Sequence, residues 1–586
     1  MKSAPMTHAL PPRLTALLLA GLVSLHPGTL PAQTDPAPDA QQSAEPGDAG
    51  AYLAARSASS QGDFREGAHW FSRALESDPD NLGLLEGAIL SYIGVGDFVK
   101  AGQSAARLTE LEGRSIGASM ALLVRDTQAE NYEAILALPD SRKIGNLMDD
   151  LVRAWAEFGT GRMSEATAAF DAIARTDGLK AFGLYHKALA LAAVGDFESA
   201  DDILSGRAEG PLVVNRRGII AHVQMLSQLE QFDDALALLD QSFGTEPEPE
   251  MIALRAQLSA RTPLAFDVVR SAKDGIAEVF FTVAVALNGE AEDGYTLLYS
   301  RAALDLNPAH TDATLLSAGL LEQLGQSELA GETYALLPKD HPSFHSAEIG
   351  RTASLLAMDK KDEALAALKA LTESHPALLI VHMAYGDALR RNEQFEQAAE
   401  AYDVAVGLVS EPTERHWGLF YSRAVAHERS DQWNKAEADF RKALELNPDQ
   451  PQVLNYLGYS FVDRGENLEE ALGMIERAVA ARPDAGYIID SLAWAYFRLG
   501  RYEDALPQME RASLLEPVDP VVTDHLGDVY WAVGRQLEAR FQWRRALSFD
   551  PVEKDAIRIR RKLEIGLDAV LAEEGAPSLQ AVANGN

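Results

Sequence analysis

The sequence runs to 586 residues and sets 87 Asp and Glu against 52 Lys and Arg, a formal net charge of −35. A field of that sign repels nucleic-acid phosphates and anionic lipid surfaces, so nucleic acid is not expected as a partner. Cysteine is absent, which excludes disulfides, thiolate metal sites, a cysteine nucleophile and a lipid anchor on a modified cysteine.

The first 32 residues read as a secretory signal. Lys2 and Arg13 supply positive charge, Leu14 to Leu25 is an apolar core, and Pro27, Gly28 and Pro31 break it before Ala32. The core is shorter than the roughly 20 residues that a membrane-spanning helix needs. Export to the periplasm or medium is therefore expected, with peripheral association at the envelope. Residues 33–47 are rich in Pro, Ala, Asp and Gln and cannot bury a core, so they read as a linker.

From 48 to 249 the pattern is paired amphipathic helices, with starts near 48, 82, 116, 147, 181 and 216. In the first pair Gly62 lets the chain leave one helix, Phe71 and Ala74 face back onto it, and Pro79 stops the second. Gly113-Arg114-Ser115-Ile116-Gly117 matches the G-x-S-x-G nucleophile elbow. That elbow requires a strand entering the serine, whereas a helix pattern precedes Ser115, so a serine hydrolase is only a remote alternative. Residues 250–276 fit the repeat poorly and read as a degenerate unit or hinge.

From 277 to 551 the starts fall at 277, 311, 345, 379, 417, 451, 486 and 520, a period of about 34. Pro308, Pro376, Pro448, Pro483, Pro517 and Pro551 each close a unit. Small residues recur where paired helices cross, as in Gly386, Ala424, Gly458, Ala493 and Gly527 facing Ala398, Ala436, Ala505 and Ala539. His341 and His345 are four apart, but Pro342 breaks the helix that would align them, so no metal site is expected. Residues 552–568 read as a charged capping helix and 569–586 as a disordered tail. Arg535 to Lys562 carries nine basic residues against four acidic ones, which suits either helix C-termini or an acidic partner.

About fourteen such units predict an all-α fold, a right-handed superhelical solenoid of stacked antiparallel helix pairs. In the first helix of each unit a second stripe points away from the packing and lines the inner wall. It gives Tyr421, then Asn455 and Tyr459, then Asp490, Trp494 and Phe497, then Asp524, Asp528 and Trp531. Rings interleaved with amides and carboxylates suit an extended peptide, so these nine residues are the expected partner-binding groove. The competing reading packs the same rings on neighbouring helices or on the closing helix. No cofactor and no catalytic residue are expected.

The two-helix unit with its proline stop resembles the tetratricopeptide repeat. NYLGYSFVDRG (455–465), DSLAWAYFRLGRYEDAL (490–506) and DHLGDVYWAVGR (524–535) are similar to the C-terminal repeats of envelope-associated tetratricopeptide proteins of Gram-negative bacteria. The resemblance implies a non-enzymatic scaffold or adaptor with a protein or peptide partner, such as a periplasmic protease or an envelope-assembly component. A structural organiser of an envelope, polysaccharide or secretion complex is the alternative. Several relatives carry a lipidated cysteine that this chain lacks.

Overall fold

The proline stops act through the residue before each ring. Asp78, Asn307, His375, Asn447, Arg482 and Glu516 have φ between −119° and −140° and ψ between 56° and 89°. The following ring forbids the helical region, so the second helix of the pair ends there. A basic residue of the next unit then satisfies a freed carbonyl. Arg477, Arg511 and Arg545 donate to the Pro448, Pro483 and Pro517 oxygens, the first at 2.6 Å.

The structure is a computed structural model that describes residues 48–139, 142–244 and 248–583. The signal-like segment 1–32, the linker 33–47 and the end of the tail lie outside the described residues. Among the described residues every regular element is a helix. In the first array α1 (Ala49–Ser60) pairs with α2 (Phe64–Ser77), α3 (Leu82–Val95) with α4 (Phe98–Glu110), and α5 (Ile116–Gln128) with α6 (Tyr132–Leu136). Then α7 (Asn146–Gly159) pairs with α8 (Met163–Ala174), α9 (Lys180–Ala193) with α10 (Phe197–Leu204), and α11 (Arg216–Gln228) with α12 (Phe232–Phe243).

The poorly matched stretch holds α13 (Pro249–Ser259) and a non-helical run over 260–271. Pairing resumes with α14 (Ala272–Leu287) and α15 (Asp293–Leu306), then α16 (Thr311–Gln323) and α17 (Ser327–Tyr334). Next come α18 (Phe344–Ala357) with α19 (Lys361–Ser374), and α20 (Leu379–Arg391) with α21 (Phe395–Gly407). A 3₁₀ turn, Glu414–His416, takes up the extra residues before α22 (Trp417–Arg429), which pairs with α23 (Trp433–Leu446). The series continues with α24 (Pro451–Arg464) and α25 (Leu468–Ala481), then α26 (Gly486–Arg498) and α27 (Tyr502–Leu515). It closes with α28 (Pro520–Ala532) and α29 (Gln536–Leu547), followed by α30 (Glu553–Ile565), α31 (Leu567–Glu573) and α32 (Leu579–Ala583). α32 and all of α31 beyond Asp568 are helical where residues 569–586 are expected to be a disordered tail.

The small-residue column sets how closely paired helices approach. A Cβ on Gly527 would come within 2.4 Å of the Trp543 ring, and Ala539 opposite is fully buried. Trp543 is itself fully buried and donates Nε1 to Asp528 at 2.8 Å. Any larger side chain at 527 must displace that indole.

The α14–α15 pair does more than continue the stack. It packs against α3, α5, α7 and α9, the first helices of the N-terminal pairs, and joins them in one hydrophobic cluster from Ala51 to Ala313. Gly275 makes the approach possible, since a Cβ there would meet the Trp155 ring at 2.2 Å. Three polar contacts fix the insertion. Gln128 Nε2 donates to Asp305 O at 2.7 Å. Buried Arg301 donates Nε to Gly94 O, in the last turn of α3, at 3.1 Å. Tyr185 OH donates to the fully buried Glu278 carboxylate at 2.8 Å. Arg65 of α2 pairs with Glu328 and Glu332 of α17, so the first array meets its own continuation. The inner wall from α3 to α9 is thus filled by the chain itself.

Candidate functional site

At the C-terminal end the inner wall is open. The first helices α24, α26 and α28, with α30, enclose a concavity of about 490 Å³ walled by Tyr459, Trp494, Arg498, Val521, Asp555 and Arg558. Trp494 is half-buried and lies flat between two rings, with centroids 4.7 Å from Phe497 and 4.0 Å from His525. His525 Nδ1 faces both oxygens of Asp490 at 3.0 and 3.2 Å. Burial alone would depress the imidazole pKa, yet the Asp490 carboxylate, with Asp524 and Asp528 beyond it, holds it above its ordinary value. Tyr459 is pushed up, by burial first and by the nearby Asp490 and Asp463 carboxylates next.

Tyr459, Trp494 and Asp524 therefore line one concavity, with Asp490 behind His525. Asp490 is 5% exposed and orients His525, so it supports the wall rather than presenting a free carboxylate. Asn455 lies one turn before Tyr459 on α24, and Tyr421 lies one pair earlier on α22. Tyr421 is half-buried, edge-on to Tyr456 with centroids 6.0 Å apart. Asn455 Oδ1 is buried and has no hydrogen-bond partner among the described residues.

The other four groove residues are engaged by the chain's own C-terminus. Asp524 and Asp528 both receive Lys562 Nζ, at 2.8 Å for the first and 2.7 and 2.8 Å for the second. Trp531 is 9% exposed, and its Nε1 donates to Asp568 Oδ2 at 2.8 Å. Phe497 is buried in the same cluster, against which Leu571 and Leu579 pack. The physical reason is register. α30 stacks on α28 as one more first helix and covers the stripe that faces outward in the middle of the array.

Sequence reasoning passed over His525, Arg498 and Arg558, which the fold brings to the same wall. His525 follows the stripe residue Asp524, so the two-stripe reading counted it as neither wall nor packing. The signal for Lys562 was its place in the basic run, four residues past Arg558. Most of that run is satisfied within the chain, as when Arg558 pairs with Glu574 and Arg561 with Glu573.

Ser115 is the N-cap of α5, where its Oγ accepts the Ala118 amide at 3.1 Å. That bond satisfies one of the free amides of a helix start. His341 Nε2 sits 3.2 Å from Thr311 Oγ1, and His345 Nδ1 sits 3.0 Å from Pro342 O. Among the described residues no group of three His, Cys, Asp or Glu side chains is placed to hold a metal.

The tetratricopeptide-repeat family model matches residues 354–411, 421–486 and 491–552, which takes in the three pairs that build this wall. Residues 354–552 are built of tetratricopeptide repeats. A TPR repeat-containing protein of Pseudomonas aeruginosa is 30% identical to the repeat protein over 192 residues, 32% of each chain. The photosystem I assembly protein Ycf3 of Cyanophora paradoxa is 32% identical over 93 residues, 16% of this chain and 53% of its own. The chain thus spans about a third to a half of the length of these relatives. Among solved structures, the APC/C hetero-tetramer Cut9–Hcn1 aligns over 88% of the repeat protein and 96% of its own chain, at 16% identity and TM-score 0.39. A fold of stacked helix pairs of this family is a surface for protein–protein interaction.

Proposed function

We propose that the protein is an exported, non-enzymatic scaffold or adaptor that holds a protein or peptide partner against the inner wall of its C-terminal repeats. The observation that carries this reading is the contrast between the two halves. From α3 to α9 the inner wall is filled by α14 and α15, while the C-terminal wall leaves a concavity edged by Tyr459 and Trp494. Aromatic faces give contact area at low entropic cost, and Arg498 and Asp555 beside them supply polar groups to a peptide backbone. The partner classes are those the family resemblance brings, a periplasmic protease with its substrates or an envelope-assembly component.

The test is in-cell crosslinking and affinity recovery of the tagged chain beside a Tyr459→Ala, Trp494→Ala variant. Trp531 is left intact because its indole anchors the chain's own C-terminus. Loss of the recovered proteins, with helicity retained, supports the groove; undiminished recovery removes it. Export rests on the sequence of residues 1–32, and fractionation of the tagged chain between periplasm and cytoplasm tests it.

A second reading, a structural organiser that binds through its outer faces, is favoured by α29. Leu537 and Phe541, one turn apart there, are 83% and 65% exposed. Under this reading Leu537→Glu with Phe541→Glu abolishes recovery while the Tyr459, Trp494 variant keeps it.

A further inference from the structure

The chain ends on a surface of its own. After Gly566 it reverses, and the pairs Arg558–Glu574 and Arg561–Glu573 draw α31 back along α30. Leu567 and Val570 are buried, and Leu571 and Leu579 pack on the cluster of Phe497, Trp531 and Trp543. Tyr502 OH donates to Leu579 O at 2.9 Å. At Gly500 a Cβ would come within 2.7 Å of Ala583 Cα, so the strap lies directly on the turn between α26 and α27. Residues 567–583 therefore cross from the last helix pair back to the one before it.

This strap is not what closes the array. α30 does that, burying Ala556, Ile559 and Lys562 against α28. The strap beyond it is held by four apolar side chains, two hydrogen bonds and ion pairs between partly exposed groups, each worth only about 0–1 kcal/mol. Its helices have seven and five residues, too short to persist unsupported. A segment so attached belongs to the low-stability end of a fold and opens without unfolding the rest.

We propose that residues 567–583 are a resident occupant of a docking surface, and that a partner segment of the same chemistry binds there by displacing them. The inference rests on the reading of the array as a protein-binding scaffold. The surface beneath has an aromatic floor of Phe497, Tyr502 and Trp531, and a cationic rim of Arg540, Arg558 and Arg561. Arg540 lies over the Trp531 ring at 5.6 Å. The strap shows what fits. Leu567, Val570 and Leu571 stand at i, i+3 and i+4 on one helix face, with Asp568, Glu573 and Glu574 beside them. The expected partner segment is thus a short, acidic, amphipathic helix. In a chain of net charge −35 such a cationic rim selects acidic segments locally that the protein as a whole repels. Arg558 and Glu574 also edge the open concavity, so the two surfaces are continuous.

The probe is a fluorescent synthetic peptide of residues 567–583, titrated against the full chain by polarisation. Against wild type it binds weakly, because the tethered copy competes. Leu571→Glu with Leu579→Glu, made in the chain alone, frees the surface and tightens peptide binding by about tenfold or more, as apparent affinity scales with the open fraction. Adding Arg558→Glu and Arg561→Glu abolishes it. Hydrogen exchange of wild type gives the second measure: the strap amides exchange well before those of α30. A freed variant that keeps its melting temperature yet gains no peptide binding overturns the proposal. So does exchange of the strap and α30 as one unit, which makes the strap part of the cap. Neither outcome bears on Tyr459 and Trp494, whose variant reads the open concavity.

Discussion

Lys562 and Asp528 form a buried ion pair, with the ammonium 2.7 and 2.8 Å from the two carboxylate oxygens and both side chains essentially inaccessible to water. The same nitrogen reaches both oxygens of Asp524. One cation thus sits between two carboxylates, and burial holds Asp524 above the usual carboxylate range despite its contact with Lys562. Lys562→Met strands Asp524 and leaves Asp528 with only Arg558, at 3.5 Å, as a cation, so a loss of about 3–5 kcal/mol is expected in the last two units. Restoring neutrality with Asp524→Asn and Asp528→Asn recovers part of it. Urea unfolding followed by fluorescence of Trp531 and Trp543 reads both steps.

The small-residue column gives a second prediction. Gly527→Ala drives a methyl group into the Trp543 ring, which is locked by its bond to Asp528. Overpacking of this kind costs about 1–3 kcal/mol. Gly473, where a Cβ would meet nothing within 4 Å, is the control, and alanine there is neutral or stabilising. Thermal unfolding of the two variants distinguishes a packing constraint from a general sensitivity of helix glycines.

Local signals carried the fold. Pro308 or Pro448 stops a helix through its own stereochemistry, and a glycine at a helix crossing reports a near neighbour only one helix away, so both are legible in one pass along the chain. The inner wall was legible only where an array is uniform. Tyr459 and Trp494 sit in pairs with a further repeat stacked beyond them, and the helix period alone places them on the wall. Trp531 and Asp528 obey the same period but stand where α30 stacks, and no local feature of α28 announces that. The insertion of α14 was beyond reach for a related reason. It depends on contacts such as Tyr185–Glu278, between residues far apart in sequence, whereas repeat spacing reports only nearest neighbours.

Glu278 makes that insertion testable. Its carboxylate accepts from Tyr185 OH and from Arg217 Nε at 2.6 Å, with His310 Nε2 at 3.4 Å. Burial would raise its pKa, but Arg217 and then His310 outweigh burial and hold it well below the usual carboxylate range. A lowered folded pKa means stability that is present above the unfolded value, about 4.3, and lost as pH falls below it. The N-terminal array is therefore expected to loosen in acid before the C-terminal one. Glu278→Ala leaves Arg217 buried without its partner and costs about 3–5 kcal/mol at neutral pH. Limited proteolysis within 260–271, compared between pH 7 and pH 3.5, checks both. Equal cleavage of wild type and variant at pH 7 would show that Glu278 does not hold the insertion.

His525 supplies a pH dependence of opposite sign at the candidate groove. Its ring lies flat on Trp494 and its Nδ1 faces Asp490, with Asp524 and Asp528 behind it and Lys562 already paired with those two. The carboxylates raise the imidazole pKa above its ordinary 6.5 against the opposing effect of burial. A raised folded pKa means stability that is complete below about 6.5 and lost as pH climbs through the folded value. The C-terminal repeats should thus weaken as pH rises from about 6.5 through the folded value. The imidazolium also rests on the Trp494 face, so its loss removes a cation–π contact and leaves the ring freer to move. His525→Gln flattens the profile. The measurement is the urea midpoint of wild type and variant across that range, read by tryptophan fluorescence. A wild-type midpoint that rises with pH would mean that the ring is neutral in the fold and that Asp490 accepts a hydrogen bond from an uncharged imidazole.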